Sequence, residues 1–555
     1  MKTLPPTKVF STMAMLLTLS CCSANLLAHR VQALLPDVTV DSVMKAHSNV
    51  SKMAFDDLSA HLFYVTYSGD VYEITTNGTD TLRCTANDHG ISAVQGLAFM
   101  DSSIYLCGNN WGTTTSIGKI VRGQLQANGT YLWSDVVTSH PYPTSSPYGD
   151  HGFTGLNIDP SHAFLFVSSG ARTHLGEVRS NNGAWPGYRE VPMTSRIFRF
   201  PINTNNLTLL NDSAWLQSSG YVFAEGTRNA YDMAWDANQN LFAIDNAGER
   251  DDPEELNWLR QGHHYGYPWR MGGNDNPLQF ANYDVNLDPL VNHQSTGYLN
   301  GWFTNDPNFP PPPSGITFTE PIRNYGTTAD FYRDALTGQV RNASDEATYI
   351  TTFTAHRSPL GLVIDSDSIL ANPYRGDAFV LNFMPGGDSS GFTPLSPWGG
   401  PCPFVDTARE LVQMKLAYDA TIDNFTATTA NVVTGFYLPV DAVMVGAQMF
   451  VIENDGSLWK ITFPLYTHVT DVNQATAVSV YPNPMQHVAT LRFTYPLHTP
   501  VSLVVYNQLG EVVMQQGPSL DRMLTIKKDK MPTGLYFYQL RTAGAIIYQG
   551  KLVSY

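Results

Sequence analysis

Cysteine is scarce in this chain. Five occur in 555 residues, and two of them, Cys21 and Cys22, lie close to the N-terminus, which leaves Cys84, Cys107 and Cys402 downstream. No CxxC pair and no Cys/His spacing of a zinc site is present, which excludes structural zinc. Charge is thin as well: 14% of residues are Asp, Glu, Lys or Arg, against roughly 25% in an ordinary globular protein. Within that small set the basic residues are the rarer, 32 against 48 acidic, for a formal net charge of −16. A surface of that sign repels phosphate backbones, which excludes nucleic acid as a partner. Long apolar runs are missing too. After Met13–Leu19 no segment reaches the about 18 apolar residues that a membrane-spanning helix needs.

What the chain has instead is Gly, Pro, Asn, Asp, Ser and Thr, the residues of polar turns between short strands. Its N-terminus sets Lys2 and Lys8 before the apolar run Met13–Leu19, with small residues after it. That is the layout of a secretory leader, residues 1–28, cut near Ala24 or Ala28. The alternative is a lipid anchor, because Leu19-Ser20-Cys21-Cys22 resembles a lipobox ending at Cys22. Either way the protein is expected outside the cytoplasm, secreted or at the cell surface. Such a compartment permits one disulfide. Cys84 and Cys107 are the closest pair in sequence, and buried thiols are the equal alternative.

A loose unit recurs: an apolar strand, a turn, and an aromatic-rich strand. Copies begin at Met53, Gly96, Gly155, Met233, Gly361 and Val440. Six hairpins with alternating apolar positions predict an all-β fold, a six-bladed β-propeller over residues 40–463. A large β-sandwich is the competing arrangement. The longest insertion, about 271–353, carries the run Pro310–Pro313 and no clear periodicity, and reads as a lid or a packed surface excursion.

Past Phe463 the blade pattern stops. Residues 464–474 read as a linker, and 475–555 hold seven short alternating strands, a small Ig-like β-sandwich. Its motifs are YPNP at Tyr481–Pro484, YNQLGEVV at Tyr506–Val513, PTGLYFYQL at Pro532–Leu540 and the terminal KLVSY. Together they resemble the type A C-terminal sorting domain of the type IX secretion system of Bacteroidetes. That resemblance implies the secretion machinery as a partner and export through the outer membrane.

The most telling stretch is Gly226–Trp269, GTRNAYDMAWDANQNLFAIDNAGERDDPEELNWLRQGHHYGYPW. With YGDHGFTGLNIDP around Asp150 and His151, it resembles the glucose/sorbosone dehydrogenases, sugar dehydrogenases that use pyrroloquinoline quinone (PQQ) and calcium. The resemblance implies oxidation of an aldose at its anomeric carbon, with hydride passed to the quinone and then to an electron acceptor that the sequence does not name. His151 is then the base, a role that suits a neutral imidazole near pH 7, and Asp150 orients it. Arg228 and Asn229 face the quinone carbonyls, where a fixed guanidinium stabilises developing negative charge. Family members hold calcium through carbonyls of a Gly-Pro pair; here that pair is Gly248-Glu249. Asp251, Asp252, Glu254 and Glu255 read either as ligands of a second ion or as a solvated acidic loop. HHYGYPW, with His263, His264, Tyr265 and Tyr267, reads mainly as a structural turn.

Two departures stand against this. The Arg-x-Arg of a late blade is replaced by TGFYLPVDAV, Thr434–Val443, and a Lys after a blade-five strand is missing. Three quinone carboxylates need cations beside them. Arg357, in HRSPLG, is a candidate to replace the lost charge. The other function class is a non-catalytic propeller that binds carbohydrate or protein ligands at the cell surface.

Overall fold

A computed structural model describes residues 31–75, 78–145, 150–383, 404, 409–466, 478–493, 500–528, 531–542 and 545–555. The leader to residue 28, Cys22, Cys402 and most of the linker lie outside the described residues. The chain forms two compact units, one ending at Leu465 and the other spanning Tyr466–Tyr555.

In the larger unit six largely antiparallel sheets follow one another along the chain. Their inner strands are Val50–Asp56, Ala93–Met100, Phe153–Ile158, Ala230–Trp235, Pro359–Ile364 and Pro439–Val445. Each packs against the next, and the sixth against the first, so the ring closes. This is a six-bladed propeller. Every one of the six repeat copies read from the sequence falls on an inner strand. The blades pack through the alternation that marked them: Phe242 and Ile244 of blade 4 meet Leu362, Ile364 and Val380 of blade 5 in one buried cluster. Small residues let the inner strands converge. A Cβ on Gly96 would stand 2.4 Å from Sγ of Cys107 and 2.7 Å from Cβ of Leu156. Cys84 and Cys107 are both buried free thiols, so the disulfide alternative is not formed.

Closure is made by the N-terminal segment. Thr39–Lys45 pairs antiparallel with Ser457–Thr462 and supplies the outer strand of blade 6. Gln32–Ala33 adds to the outer edge of blade 5 by pairing with Thr434 and Val433. Near the axis, a buried lysine ties distant blades. Nζ of Lys52 in blade 1 lies 3.0 Å from Asp232 of blade 4 and 3.5 Å from Asp441 of blade 6. Met53 donates its N–H to Asp441 at 2.8 Å, and Leu362 of blade 5 donates to Asp232 at 3.0 Å.

The smaller unit is a sandwich of a three-stranded and a four-stranded sheet. Along Gly534–Thr542 the inward positions Tyr536, Tyr538 and Leu540 alternate with exposed Phe537, the period of two of a half-buried strand. They pack on Leu503, Val505, Leu524 and Leu552. All seven strands expected from the sequence are present.

Candidate active site at the mouth of the propeller

The segments that enter the inner strands and those that leave the second strands meet at one end of the ring. His151 precedes the inner strand of blade 3, Arg228 and Asn229 that of blade 4, and Arg357 and Ser358 that of blade 5. Backbone bonds knit them: His151 donates to the Ala171 carbonyl at 2.9 Å, and Ala171 to the Arg228 carbonyl at 2.6 Å. Residues 77 apart in sequence thus become neighbours. Gly170 makes room for them. A Cβ there would stand 2.4 Å from Cβ of His151, 3.3 Å from the Arg228 carbonyl oxygen and 3.4 Å from Oδ1 of Asn229.

Nε2 of His151 is buried and has no hydrogen-bond partner among the described residues. Burial, and then the Arg228 charge, push its pKa down to about 3, so the imidazole is neutral at physiological pH. Asn229 donates from Nδ2 to Oδ1 of Asn246 at 3.1 Å, while its own Oδ1 is buried without a partner among the described residues. Asp245 holds the pair from below, accepting the N–H of Arg228 at 2.9 Å and that of Asn229. Burial raises this carboxyl to about 7.

The guanidinium of Arg228 is committed to the protein. Nε donates to the His174 carbonyl at 3.0 Å, and Nη1 to the carbonyls of Asn246 and Ala247 at 2.9 and 2.8 Å. Arg357 is buried and ion-paired with Glu410, which also accepts from Asn382. Its charge is therefore held inside blade 5. The hydrogen bonds described for Asp150 come from Ser145, whose backbone N–H is 2.7 Å and whose hydroxyl is 3.0 Å from Oδ2.

Glu249 turns to the insertion: it accepts the backbone N–H of Gly297, and its other oxygen, Oε1, is buried without a partner. Burial raises its pKa. The four following acids are buried, so they form no solvated loop. Nor do they converge. Asp251 binds Arg333 at 2.6 Å and His356 at 2.7 Å, and Asp252 binds Arg250 at 2.5 Å. Glu254 accepts the N–H groups of Ala247 and Ser358 at 2.6 and 3.0 Å, and Glu255 that of Gly272 at 2.7 Å. The HHYGYPW turn is structural as read: Tyr267 donates to the Thr173 carbonyl at 2.8 Å and Tyr265 to that of Trp258 at 2.6 Å.

Sequence reasoning missed His174 and Trp302. His174 is buried beside Arg228, and the Trp302 ring of the insertion stacks on it with centroids 5.0 Å apart and planes at 22°. The Arg179 guanidinium lies 4.0 Å from the same indole. A polar cleft of ≈ 520 Å³ opens beside this sandwich, lined by Glu177, Arg179, Asn181, Asn300, Trp302 and Asp306. The only sequence signal was an unexplained insertion, which carries no periodicity to locate a single aromatic.

The side chains can be tested against the implied cofactors. Calcium at Gly248 would draw on the loop's carbonyls, but those of Asn246 and Ala247 already accept from a cation, Arg228. Among the described residues no three His, Cys, Asp or Glu side chains converge on a metal-sized gap. The quinone's three carboxylates meet the same difficulty. Arg228 holds backbone carbonyls, Arg357 holds Glu410, and Arg179 is 3.3 Å from Glu177. Arg172 donates to the carbonyls of Pro143, Thr144 and Arg179. The residues present do not fit the cofactor pair.

Comparison with known proteins gives two kinds of match. Residues 479–554 match the family of the secretion system C-terminal sorting domain. For the propeller, solved structures of similar fold include sugar dehydrogenases and also a virginiamycin B lyase of Staphylococcus aureus. One is the holo form of the pyranose dehydrogenase PQQ domain of Coprinopsis cinerea, at 13% identity and TM-score 0.46, covering 78% of this chain and 97% of that one. The soluble aldose sugar dehydrogenase of Escherichia coli gives 12%, 0.45, 77% and 99% for the same quantities. The PQQ-bound aldose sugar dehydrogenase of Streptomyces coelicolor gives 13%, 0.43, 77% and 98%. No curated protein matches the chain.

Proposed function

We propose that this protein is an exported propeller that binds an aldose at the mouth around His151, Arg228 and Asn229. The observation that carries the reading is the pair of buried, unsatisfied groups, Nε2 of His151 and Oδ1 of Asn229, on either side of Gly170. Buried polar atoms are rarely left without partners, and each is costly while it stays so. Adjacent sugar hydroxyls, which donate and accept, complement such a pair. A neutral His151 also suits a hydroxyl, because its ring offers one lone pair and one N–H. Export is supported by the sorting-domain match, with the secretion machinery as the partner of the tail. Removing residues 475–555 is expected to keep the protein inside the cell envelope.

A second reading is oxidation of that aldose. It is favoured by the convergence of His151, Arg228 and Asn229 from blades 3 and 4. PQQ would supply the hydride acceptor, and His151 would take the hydroxyl proton. The side chains do not fit the quinone's carboxylates or its calcium, so no step through them is derived.

Both readings meet in one experiment. The mature protein is titrated with glucose and other aldoses by calorimetry, alone and after incubation with calcium and PQQ, and dye reduction is followed in parallel. Sugar binding without quinone, lost in Asn229→Ala, is the expected result. Retained quinone absorbance with sugar-dependent dye reduction would move the conclusion to the enzyme. No heat from any aldose under either condition would sink the sugar reading altogether.

A further inference from the structure

A second cleft, of ≈ 450 Å³, is lined by a different set of residues from the mouth. One wall is Arg323, whose short strand Arg323–Asn324 pairs with Thr426 and Ala427 on the outer strand of blade 5. The Gly272–Gly273 turn, Arg333 and two tyrosines, Tyr332 and Tyr349, also line it. Its size falls within the range of small-molecule sites, about 300–1,000 Å³.

The charges in this cleft are unequally engaged. Arg270 clamps Glu320 with Nε at 2.6 Å and Nη2 at 3.1 Å, so that carboxylate is neutralised. Asp334 accepts the N–H and hydroxyl of Thr337 at 2.7 and 2.8 Å, closing its own turn. Arg333 reaches out of the cleft to Asp251 at 2.6 Å. Arg323 differs from all of these. It forms no ion pair among the described residues; its charge is within electrostatic reach of Asp419, and its guanidinium carbon lies 4.6 Å from the centroid of the Tyr349 ring.

 A guanidinium over an aromatic face can still donate from its N–H groups to a planar acceptor. Tyr349 is 38% exposed, and Tyr325, 42% exposed, packs on it with centroids 5.5 Å apart. In a chain of net charge −16 an arginine with no direct ion pair among the described residues, set on an exposed aromatic platform, stands out.

We propose that this cleft binds an acidic sugar, a uronic acid unit of a polysaccharide, with its carboxylate on Arg323 and its ring against Tyr349. A carboxylate matches the guanidinium fork in two parallel hydrogen bonds. A flat aromatic surface beside it suits the apolar face of a pyranose ring, whereas an acidic peptide would leave Tyr325 and Tyr349 without a partner. The site does not depend on the reading of the mouth, because none of the mouth residues lines it.

The test uses the whole mature protein and three probes: tetragalacturonate, neutral maltotetraose, and tetraglutamate. Calorimetric titration is expected to show binding of tetragalacturonate alone. Arg323→Gln should weaken it on the order of tenfold or more, and Tyr349→Ala should weaken it too, with unchanged thermal unfolding in both variants. Asn229→Ala, at the mouth, should leave it unaltered. Absence of tetragalacturonate binding, or binding that survives Arg323→Gln, would overturn the proposal. Equal binding of tetraglutamate would replace the sugar with an acidic peptide.

Discussion

His151 shows how a single side chain couples the site to stability. Its folded pKa of about 3 lies below the ordinary 6.5, so between those values the unfolded chain binds a proton that the native one refuses. Stability therefore falls as pH drops from about 6.5 towards 3, with a slope of about 1.4 kcal/mol per pH unit while the difference is one full proton. His264 acts in the same direction, with burial lowering it to about 4. Denaturant unfolding measured from pH 7 to pH 4.5 should show this decline, and His151→Asn should flatten it. An unchanged slope in the variant would mean that His151 is solvated and titrates normally. The sequence exposed His151, Arg228 and Asn229 because each sits just before an inner strand, where the strand pattern itself fixes position. It did not expose where Arg228 and Arg357 direct their charge. That depends on the carbonyls of His174 and Ala247 and on Glu410, all distant in sequence.

At the scale of elements, the insertion 271–353 is a packed cover. Arg250 to Asp288 at 2.9 Å and Arg333 to Asp251 at 2.6 Å hold it down by charge. Glu249 to Gly297, and the Trp302 ring between His174 and Arg179, hold it over the mouth. An indole stacked on a guanidinium contributes about 0.5–2 kcal/mol. Trp302→Ala should therefore loosen the cover without unfolding the ring. Hydrogen exchange should quicken at the Gly297 amide while the Phe242–Ile244 strand stays protected. Protection unchanged at Gly297 would show that Glu249 alone is the fastening. The blades were legible because alternation repeats six times. The cover was not, since its contacts are single side chains with no period.

For the molecule as a whole, the buried lysine near the axis is the test of how the ring is held. Lys52→Met would leave Asp232 and Asp441 buried with no cation between them, a loss of about 3–5 kcal/mol. Lys52→Met combined with Asp441→Asn and Asp232→Asn should recover part of that loss, because the orphaned charges are gone. Equilibrium unfolding of the single and triple variants gives the comparison. A triple variant no more stable than Lys52→Met would show that the charges contribute little beyond packing. Neither Lys52 nor its partners drew attention in the sequence, since an isolated lysine in an apolar strand gives no sign of carboxylates 180 and 389 positions away.

The strand Thr39–Lys45 has a consequence for how the protein comes into being. It is made among the first described residues and pairs with Ser457–Thr462, among the last of the ring. During synthesis its hydrogen-bonding edge waits while the other blades emerge, and contacts of such long separation form slowly. A nascent chain that travels outward before the final blade is complete would carry an open sheet edge, the feature that invites pairing with another chain. Ring closure therefore waits for the last blade, because that blade receives this early strand.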